Sequence, residues 1–205
     1  MAHPANALAV AQAGADYLGL IFFERSPRYM GNAGPELVQA LPAHVQRVGV
    51  FVNHTNAFIE AQAANYRLDL LQLHGHEPVN QCQQLKAKGY ALMKVFSVNS
   101  TFDFSTTAPY EPYVDYFLFD TKGKDYGGNG FTFDWSVLDR YQSSKPFFLS
   151  GGIGPEHVEA IGQLKHPQLV AVDVNSRFEI EPGNKNIDTV QAFIDGIKAW
   201  QTNTK

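Results

Sequence analysis

The sequence predicts an α/β protein with a parallel sheet, closest to a (β/α)8 or TIM barrel whose first strand is missing from this chain. Short apolar runs alternate with segments of helical spacing along all 205 residues, as in folds built from strand–helix units. Seven such units can be counted, against eight in a closed barrel and about five or six in a doubly wound sheet. Because the chain opens with a predicted helix, the gap falls at its start. Residues 1–205 are predicted to form a single barrel domain.

Seven strands are predicted from apolar runs that are rich in β-branched and aromatic residues. These runs do not alternate between apolar and polar residues, so each strand is expected to be buried on both faces, as in a parallel sheet. In chain order the predicted strands are Tyr17–Phe22, Arg47–Val52, Asp69–Leu73, Leu92–Phe96, Tyr116–Phe119, Pro146–Leu149 and Leu169–Val174.

Seven helices are predicted from apolar residues at three- and four-residue steps. The pattern is clearest near the end of the chain, where Ile187, Val190 and Ile194 share one stripe. Residues 100–112 have no clear period and are predicted to form a loop or one short helical turn. The predicted helices are Pro4–Ala13, Pro35–Ala40, Asn56–Tyr66, Pro78–Lys88, Asp134–Tyr141, Pro155–Leu164 and Ile187–Trp200.

Composition and charge argue against several classes of function. The formal net charge is −4, so the chain lacks the broad basic surface typical of nucleic-acid binding. No apolar run approaches the roughly 18 residues of a membrane span, and the N-terminus has no basic region of the secretory type. A cytoplasmic protein without membrane contact is therefore expected. The single cysteine, Cys82, excludes an internal disulfide framework and a multi-cysteine zinc site.

Two polar loops follow the last two predicted strands. Gly151 and Gly152 lead into a helix that begins near Pro155, and the backbone N–H groups of such a turn suit an anion. Asn175 and Ser176 follow the last strand, and barrels often bind phosphate with the loops after strands seven and eight. Together the two loops favour a phosphate site over the alternative, a tight strand-to-helix turn.

Two charged residues are candidates for binding and chemistry. Asp120 ends an apolar strand, and partial burial there would suit a general acid or base; the alternative is an aspartate that caps the next turn. The loop after it holds four glycines between residues 122 and 130 and is predicted to cover the site. Arg28 could bind a substrate carboxylate with both arms of its guanidinium, or lie solvated at the surface.

Three further residues are candidates for metal ligands or nucleophiles. His74 and His76 flank Gly75 after the third strand, but no cluster of Asp, Glu or Cys accompanies them at metal-ligand spacing. No metal is predicted, and a hydrogen-bonding role is favoured for His74. Cys82 lies in the middle of a predicted helix, away from any strand end, and is predicted to be a packing residue.

The sequence resembles phosphoribosylanthranilate isomerases of tryptophan biosynthesis over nearly its whole length. No single stretch is decisive, but their order and spacing are specific. The matching stretches are Ala13-Gly14-Ala15-Asp16 with Gly19, Ser26-Pro27-Arg28-Tyr29, Val48-Gly49-Val50-Phe51-Val52-Asn53, Leu71-Gln72-Leu73-His74-Gly75, Asp120-Thr121-Lys122, Gly127-Gly128-Asn129-Gly130 with Phe133-Asp134-Trp135, Leu149-Ser150-Gly151-Gly152 and Val172-Asp173.

The resemblance implies an enzyme that isomerises a small phosphorylated substrate by an Amadori rearrangement, without cofactor or metal, as a monomer or homodimer. It implies that Asp120 is the general acid and that Arg28 holds the anthranilate carboxylate. His74 lies near the substrate. The remaining residues implied in substrate and phosphate binding are Gly151, Gly152, Asp173, Asn175 and Ser176.

The resemblance fails at two places. The family's base is a cysteine in a Lys-x-Cys-Gly motif at the end of the first strand, and this chain has neither the motif nor the strand. One hypothesis is a start assigned too late, with roughly seven to ten residues preceding Met1. The alternative is a truncated, catalytically impaired barrel that binds phosphate. Arg177 stands where many relatives have a small residue, so its guanidinium could meet the phosphate or point outward.

A third hypothesis is another sugar-phosphate enzyme on the same fold, such as indole-glycerol-phosphate synthase. That enzyme needs catalytic lysines at strand ends, whereas Lys94 lies within a predicted strand and has no lysine partner. The fold alone does not separate these functions, so the site residues decide between them.

Overall fold

A curved parallel sheet of seven strands forms the centre of the protein. The computed structural model describes residues 1, 3–31, 34–121 and 135–203. The strands pair in sequence order from β1 to β7, which confirms the seven parallel strands predicted. Their bounds are β1 Tyr17–Ile21, β2 Gln46–Phe51, β3 Leu70–Leu73, β4 Leu92–Val98, β5 Tyr116–Thr121, β6 Phe147–Ser150 and β7 Leu169–Val172.

Both faces of the sheet are apolar, as the uninterrupted apolar runs predict. The larger core packs one face against the helices and includes Leu71, Phe117 and Phe147. A second cluster, which includes Met93 and Leu118, lies inside the curve of the sheet. Successive residues of a strand point to opposite faces, so each strand contributes to both cores.

Helices connect the strands and cover the outer face of the sheet. The first, α1, begins at a proline, whose missing N–H costs nothing at a helix start. Thr55 caps α3 by accepting a hydrogen bond from the backbone of Phe58, a favourable N-cap contact. The helices are α1 Pro4–Gln12, α2 Glu36–Gln39, α3 Asn56–Tyr66, α4 Val79–Ala87, α5 Val158–Gln163 and α6 Ile187–Asn203.

Three helix predictions need correction. Residues 100–112 were expected to be loop or one short turn, but Phe104–Tyr113 is a 3₁₀ helix containing Pro109 and Pro112. The helix predicted over Asp134–Tyr141 is also 3₁₀, over Trp135–Arg140, with Asp134 outside the described residues. The helix predicted over Pro155–Leu164 starts with a 3₁₀ turn before α5.

A short antiparallel hairpin after β7 was not predicted. A 3₁₀ turn over Ser176–Phe178 leads into β8, Glu179–Glu181, which pairs with β9, Asn184–Lys185. The side-chain amide of Asn6 in α1 bonds both the backbone N–H and the C=O of Lys185, at 2.8 and 2.9 Å. The hairpin is therefore tied to the N-terminal helix.

The outer edges of the sheet are open within the described residues. Neither β1 nor β7 pairs with a further strand there, and the backbone nitrogen of Met1 lies 2.6 Å from the carbonyl oxygen of Gly19 in β1. In the same part of the chain, no helix is long and apolar enough to cross a membrane.

Candidate active site

Polar side chains converge at the carboxyl ends of the strands. His74 follows β3, Asp120 lies near the end of β5, and Asp173 follows β7. Because the strands are parallel, these ends meet at one edge of the sheet, where barrel enzymes place their catalytic groups. A cavity of about 570 Å³ reaches this edge and is lined there by Arg28, His74, Asp173 and Asn175, among others.

His74 and Asp120 lie close enough to share a proton after a small movement. The His74 Nε2 atom is 3.9 Å from an Asp120 carboxylate oxygen, and the side chains are 34% and 21% exposed. The other ring nitrogen, Nδ1, is 3.0 Å from the side-chain nitrogen of Gln72. When that amide donates to Nδ1, the proton of a neutral ring is on Nε2 and faces Asp120.

Asp173 lies in different surroundings. The Ser150 hydroxyl, at the end of β6, donates to its carboxylate over 3.2 Å. Burial raises the pKa of Asp173; electrostatic interaction with His74 and Lys185 and the hydrogen bond from Ser150 oppose that rise, and the negative charge of Asp120 adds to it. The protonated form is thereby favoured more than in a solvated aspartate.

Arg28 is paired with a carboxylate of the chain itself, so the alternative of a solvated surface arginine is wrong. Its Nε and one terminal nitrogen bind the Glu179 carboxylate at 2.6 to 2.9 Å. Lys185 donates to the same carboxylate at 2.8 Å, and so does the backbone N–H of Gly183 at 2.9 Å. Burial opposes the charge of Glu179, but the bonds from Arg28 and Lys185 outweigh it and lower its pKa to about 2.

Both glycines of the loop after β6 adopt backbone conformations that favour glycine. Gly151 has φ +108°, and a Cβ there would collide with the backbone of Thr121. Gly152 also has a positive φ, +64°. Arg177 lies at this loop: it pairs with Glu156 at 2.6 Å, and its Nη1 is 3.5 Å from the Gly152 carbonyl oxygen.

A buried ion pair supports the loop that carries His74. Lys94 in β4 donates to the carbonyl of Gly75 at 2.7 Å and to Glu77 at 3.0 Å. Glu77 in turn accepts from the backbone N–H groups of Asn53 and Gly75. Lys94 is therefore committed to structure, which speaks against the lysine chemistry of the synthase hypothesis.

Several predicted residues lie elsewhere. Cys82 is fully buried in α4, and burial raises its thiol pKa to about 11. His76 is exposed and donates its backbone N–H to Asn53. No group of three or more metal-binding side chains occurs in the described ranges. The glycine-rich loop predicted as a cover, with Gly123, Gly127, Gly128 and Gly130, falls outside those ranges.

The sequence analysis missed Glu179 and Lys185 as site residues. Pro182-Gly183 between them is a turn signal, and it predicts a hairpin of the two flanking segments. A regular two-residue turn would place Glu181 opposite Asn184 and Glu179 opposite Asn186. The observed register keeps the first pair but shifts to Glu179 opposite Lys185, so only the structure brings these two charges together.

The family model described as "N-(5'phosphoribosyl)anthranilate (PRA) isomerase" matches residues 1–196. An N-(5'-phosphoribosyl)anthranilate isomerase of Parabacteroides distasonis is 46% identical over 200 residues, which cover 96% of this chain and 90% of that protein.

Solved structures of the same enzyme are similar. The phosphoribosyl anthranilate isomerase of Thermotoga maritima has a TM-score of 0.84 and 35% identity, over 97% of this chain and 96% of that one. Two further structures, each 32% identical over 97% of this chain and 95% of theirs, have TM-scores of 0.80 and 0.82. The first contains monomers made from the dimeric Thermotoga maritima enzyme, and the second is a complex with reduced 1-(o-carboxyphenylamino)-1-deoxyribulose 5-phosphate.

Proposed function

The chain belongs to the N-(5'-phosphoribosyl)anthranilate isomerase family, and we propose that its reaction takes place at the cluster of His74, Asp120, Asp173 and Arg28. The activity is the Amadori rearrangement of N-(5-phosphoribosyl)anthranilate to 1-(2-carboxyphenylamino)-1-deoxyribulose 5-phosphate. The observation that carries the placement is the approach of Asp120 to His74, 3.9 Å apart, at the carboxyl edge of the sheet.

Asp120 is the general acid in this proposal. As the bond from C1 to the furanose oxygen breaks, Asp120 donates a proton to that oxygen and an iminium ion forms at C1. A base then removes the proton from C2, and the resulting enolamine tautomerises to the ketone. His74 lies beside Asp120 and can stabilise its carboxylate after the proton has left.

Binding divides between the two ends of the substrate. Arg28 binds the anthranilate carboxylate, and the backbone of Gly151 and Gly152 with the loop at Asn175 and Ser176 binds the phosphate. In this proposal Asp173 binds the sugar hydroxyls. The preference for a carboxylate at one end and a phosphate at the other defines the substrate class.

A turnover assay on two versions of the chain tests which residue is the base that removes the C2 proton. One is the chain as given, and the other carries an added N-terminal strand with a Lys-x-Cys-Gly motif. Turnover only in the extended version assigns the base to that cysteine. Turnover in the chain as given assigns it to a residue already present, and His74 is the first to replace.

A second candidate function is a barrel that binds the phosphorylated ligand without turning it over. The observation that favours it is the burial of Cys82, the chain's single thiol, in α4. Inactivity of both versions with intact ligand binding supports this alternative. For assembly and location we propose a monomer or homodimer in the cytoplasm, to be tested by sedimentation and by fractionation.

A further inference from the structure

Among the residues that the structure describes, the Arg28 guanidinium is held along only one of its edges. Glu179 takes the Nε hydrogen and one hydrogen of Nη2. A guanidinium has five N–H groups in a planar fork, so the edge formed by Nη1 and the second Nη2 hydrogen points away from Glu179. Arg28 lines the cavity, and its side chain is 21% exposed. That edge has the spacing to bind a second carboxylate with two parallel hydrogen bonds.

Glu179 is itself fixed in place. Its side chain is 4% exposed, and it accepts hydrogen bonds from Lys185 and from the backbone N–H of Gly183 as well as from Arg28. The Lys185 ammonium also donates to the backbone carbonyl of Asn175 at 3.1 Å and to the side chain of that residue. The carboxylate thus accepts hydrogen bonds from three residues, Arg28, Gly183 and Lys185, and Arg28 is anchored to a rigid acceptor.

We propose that Glu179 and Lys185 are positioning residues that hold the Arg28 fork ready for the carboxylate of the substrate. The inference rests on the proposed function, because it takes Arg28 as the carboxylate ligand. A flexible arginine would lose side-chain entropy when it bound the substrate, whereas an anchored one has lost it on folding. The pair would therefore strengthen binding of substrates that carry the carboxylate and leave binding of the phosphate unchanged.

If Glu179 instead hindered substrate binding, neutralising it would change the affinity in the opposite direction. If Glu179 had to leave Arg28 before substrate could bind, it would be a competitor, and neutralising it would tighten binding. If it positions Arg28, neutralising it weakens binding. A single substitution, Glu179→Gln, separates these roles because the amide keeps the size of the side chain and removes its charge.

The test measures the Kd of two ligands by calorimetry. One is reduced 1-(o-carboxyphenylamino)-1-deoxyribulose 5-phosphate, and the other is the same compound without its carboxylate. For Glu179→Gln we expect the Kd of the first to rise about tenfold, the scale of one charge-assisted hydrogen bond. The Kd of the second should stay within about twofold. Lys185→Met should act in the same direction with a smaller rise.

The matched control is Glu181→Gln in the same hairpin. Glu181 is exposed and accepts only a 3.3 Å bond from Asn184 among the described contacts, so both Kd values should be unchanged. Tighter or unchanged binding of the carboxylate ligand in Glu179→Gln overturns the inference. Equal weakening of both ligands, together with a lower Tm, also overturns it, because it indicates a purely structural role.

Arg28→Ala separates failure of the inference from failure of the proposed function. If Arg28→Ala leaves the Kd of the carboxylate ligand unchanged, Arg28 is not the clamp and the proposed function is wrong on that point. If Arg28→Ala weakens this ligand but Glu179→Gln does not, only the positioning role is wrong. In an Arg28→Ala background, Glu179→Gln should add little, since no fork remains to be oriented.

Discussion

At the scale of single residues, the surroundings shift the pKa values of two carboxyl groups at the site in opposite directions. Burial raises the pKa of Asp173, whereas donors from Arg28 and Lys185 overcome burial and hold the pKa of Glu179 at about 2. Groups whose surroundings separate their pKa values in this way commonly divide the roles of acid, base and fixed charge. Here the low pKa of Glu179 makes it a fixed negative charge, whereas burial shifts the pKa of Asp173 upward.

The role of Asp120 as the acid predicts a defect in turnover rather than in binding. Asp120→Asn keeps the shape of the side chain and removes the proton that is transferred. In whichever version of the chain turns over the substrate, the given or the extended one, we expect kcat to fall by about 10²- to 10⁴-fold. The Kd of the reduced product analogue should stay within about twofold of its value for the unaltered protein. A kcat within twofold of the unaltered protein would show that another group is the acid.

The ion pair of Glu179 predicts a specific response to acid. The pKa of Glu179 in the folded protein, about 2, lies below the ordinary value of 4.5. The ionised carboxylate therefore adds to the free energy of unfolding above pH 4.5, and this contribution is lost as the pH falls towards 2. At about 1.4 kcal/mol per pKa unit, this is worth on the order of 3 kcal/mol at most. Urea unfolding of the protein and of Glu179→Gln should differ most near pH 7 and converge near pH 2. A difference that does not change with pH contradicts the assignment.

At the scale of elements, the loop after β6 depends on two glycines for different reasons. Gly151 combines φ +108° with a close approach to the backbone of Thr121, whereas a Cβ on Gly152, at φ +64°, meets no atom within 4 Å. A positive φ is unfavourable for residues other than glycine. Of these two positions, Gly151 is the one at which a Cβ would also collide with the backbone of Thr121, which has little room to move.

Alanine substitutions at Gly151 and Gly152 therefore form a matched pair for comparison. Gly152→Ala should cost about 1 kcal/mol, the scale of backbone strain alone. Gly151→Ala should cost at least about twice as much and weaken phosphate binding, because the strand end must shift. Thermal unfolding and phosphate titration check both. Equal Tm values for the two variants would mean that the Thr121 contact is not limiting.

The hairpin of β8 and β9 connects elements that are far apart in the chain. It holds Glu179 against Arg28, 151 residues away, and Lys185 against Asn6, 179 residues away. Because it spans from the β7 side to the β1 side of the sheet, the hairpin bridges the open edges near the site.

At the scale of the whole molecule, the edges of β1 and β7, which have no strand partner among the described residues, are the weak point of the fold. Unpaired strand edges expose N–H and C=O groups and invite association. Val170 in β7 is 52% exposed, and the interior cavity of about 570 Å³ opens between these edges. An added parallel strand would satisfy the edge groups and fill apolar space.

We therefore expect a version extended at the N-terminus by about seven to ten residues of strand sequence to have the higher Tm. It should also aggregate less and bind less of an apolar dye. A Gly/Ser extension of equal length is the control, since it adds chain without strand propensity. Equal melting temperatures for the strand and control versions would contradict the prediction.

Much of the site followed from local patterns in the sequence. Uninterrupted apolar runs identify parallel strands buried on both faces, and parallel strands bring their carboxyl ends to one edge. His74, Asp120 and Asp173 could be placed there from their positions alone. The 3₁₀ helix over Phe104–Tyr113 was missed because its two prolines weaken the helical period on which the prediction rests.

The sequence by itself determined the order of strands, the apolar character of both sheet faces and the family to which the chain is similar, because those depend on composition and spacing along the chain. Only the tertiary structure decided the partner of Arg28, the opposite pKa shifts of Glu179 and Asp173 and the clash that makes Gly151 necessary. These depend on groups that are distant in sequence and are brought within a few ångströms by packing, so no local pattern contains them.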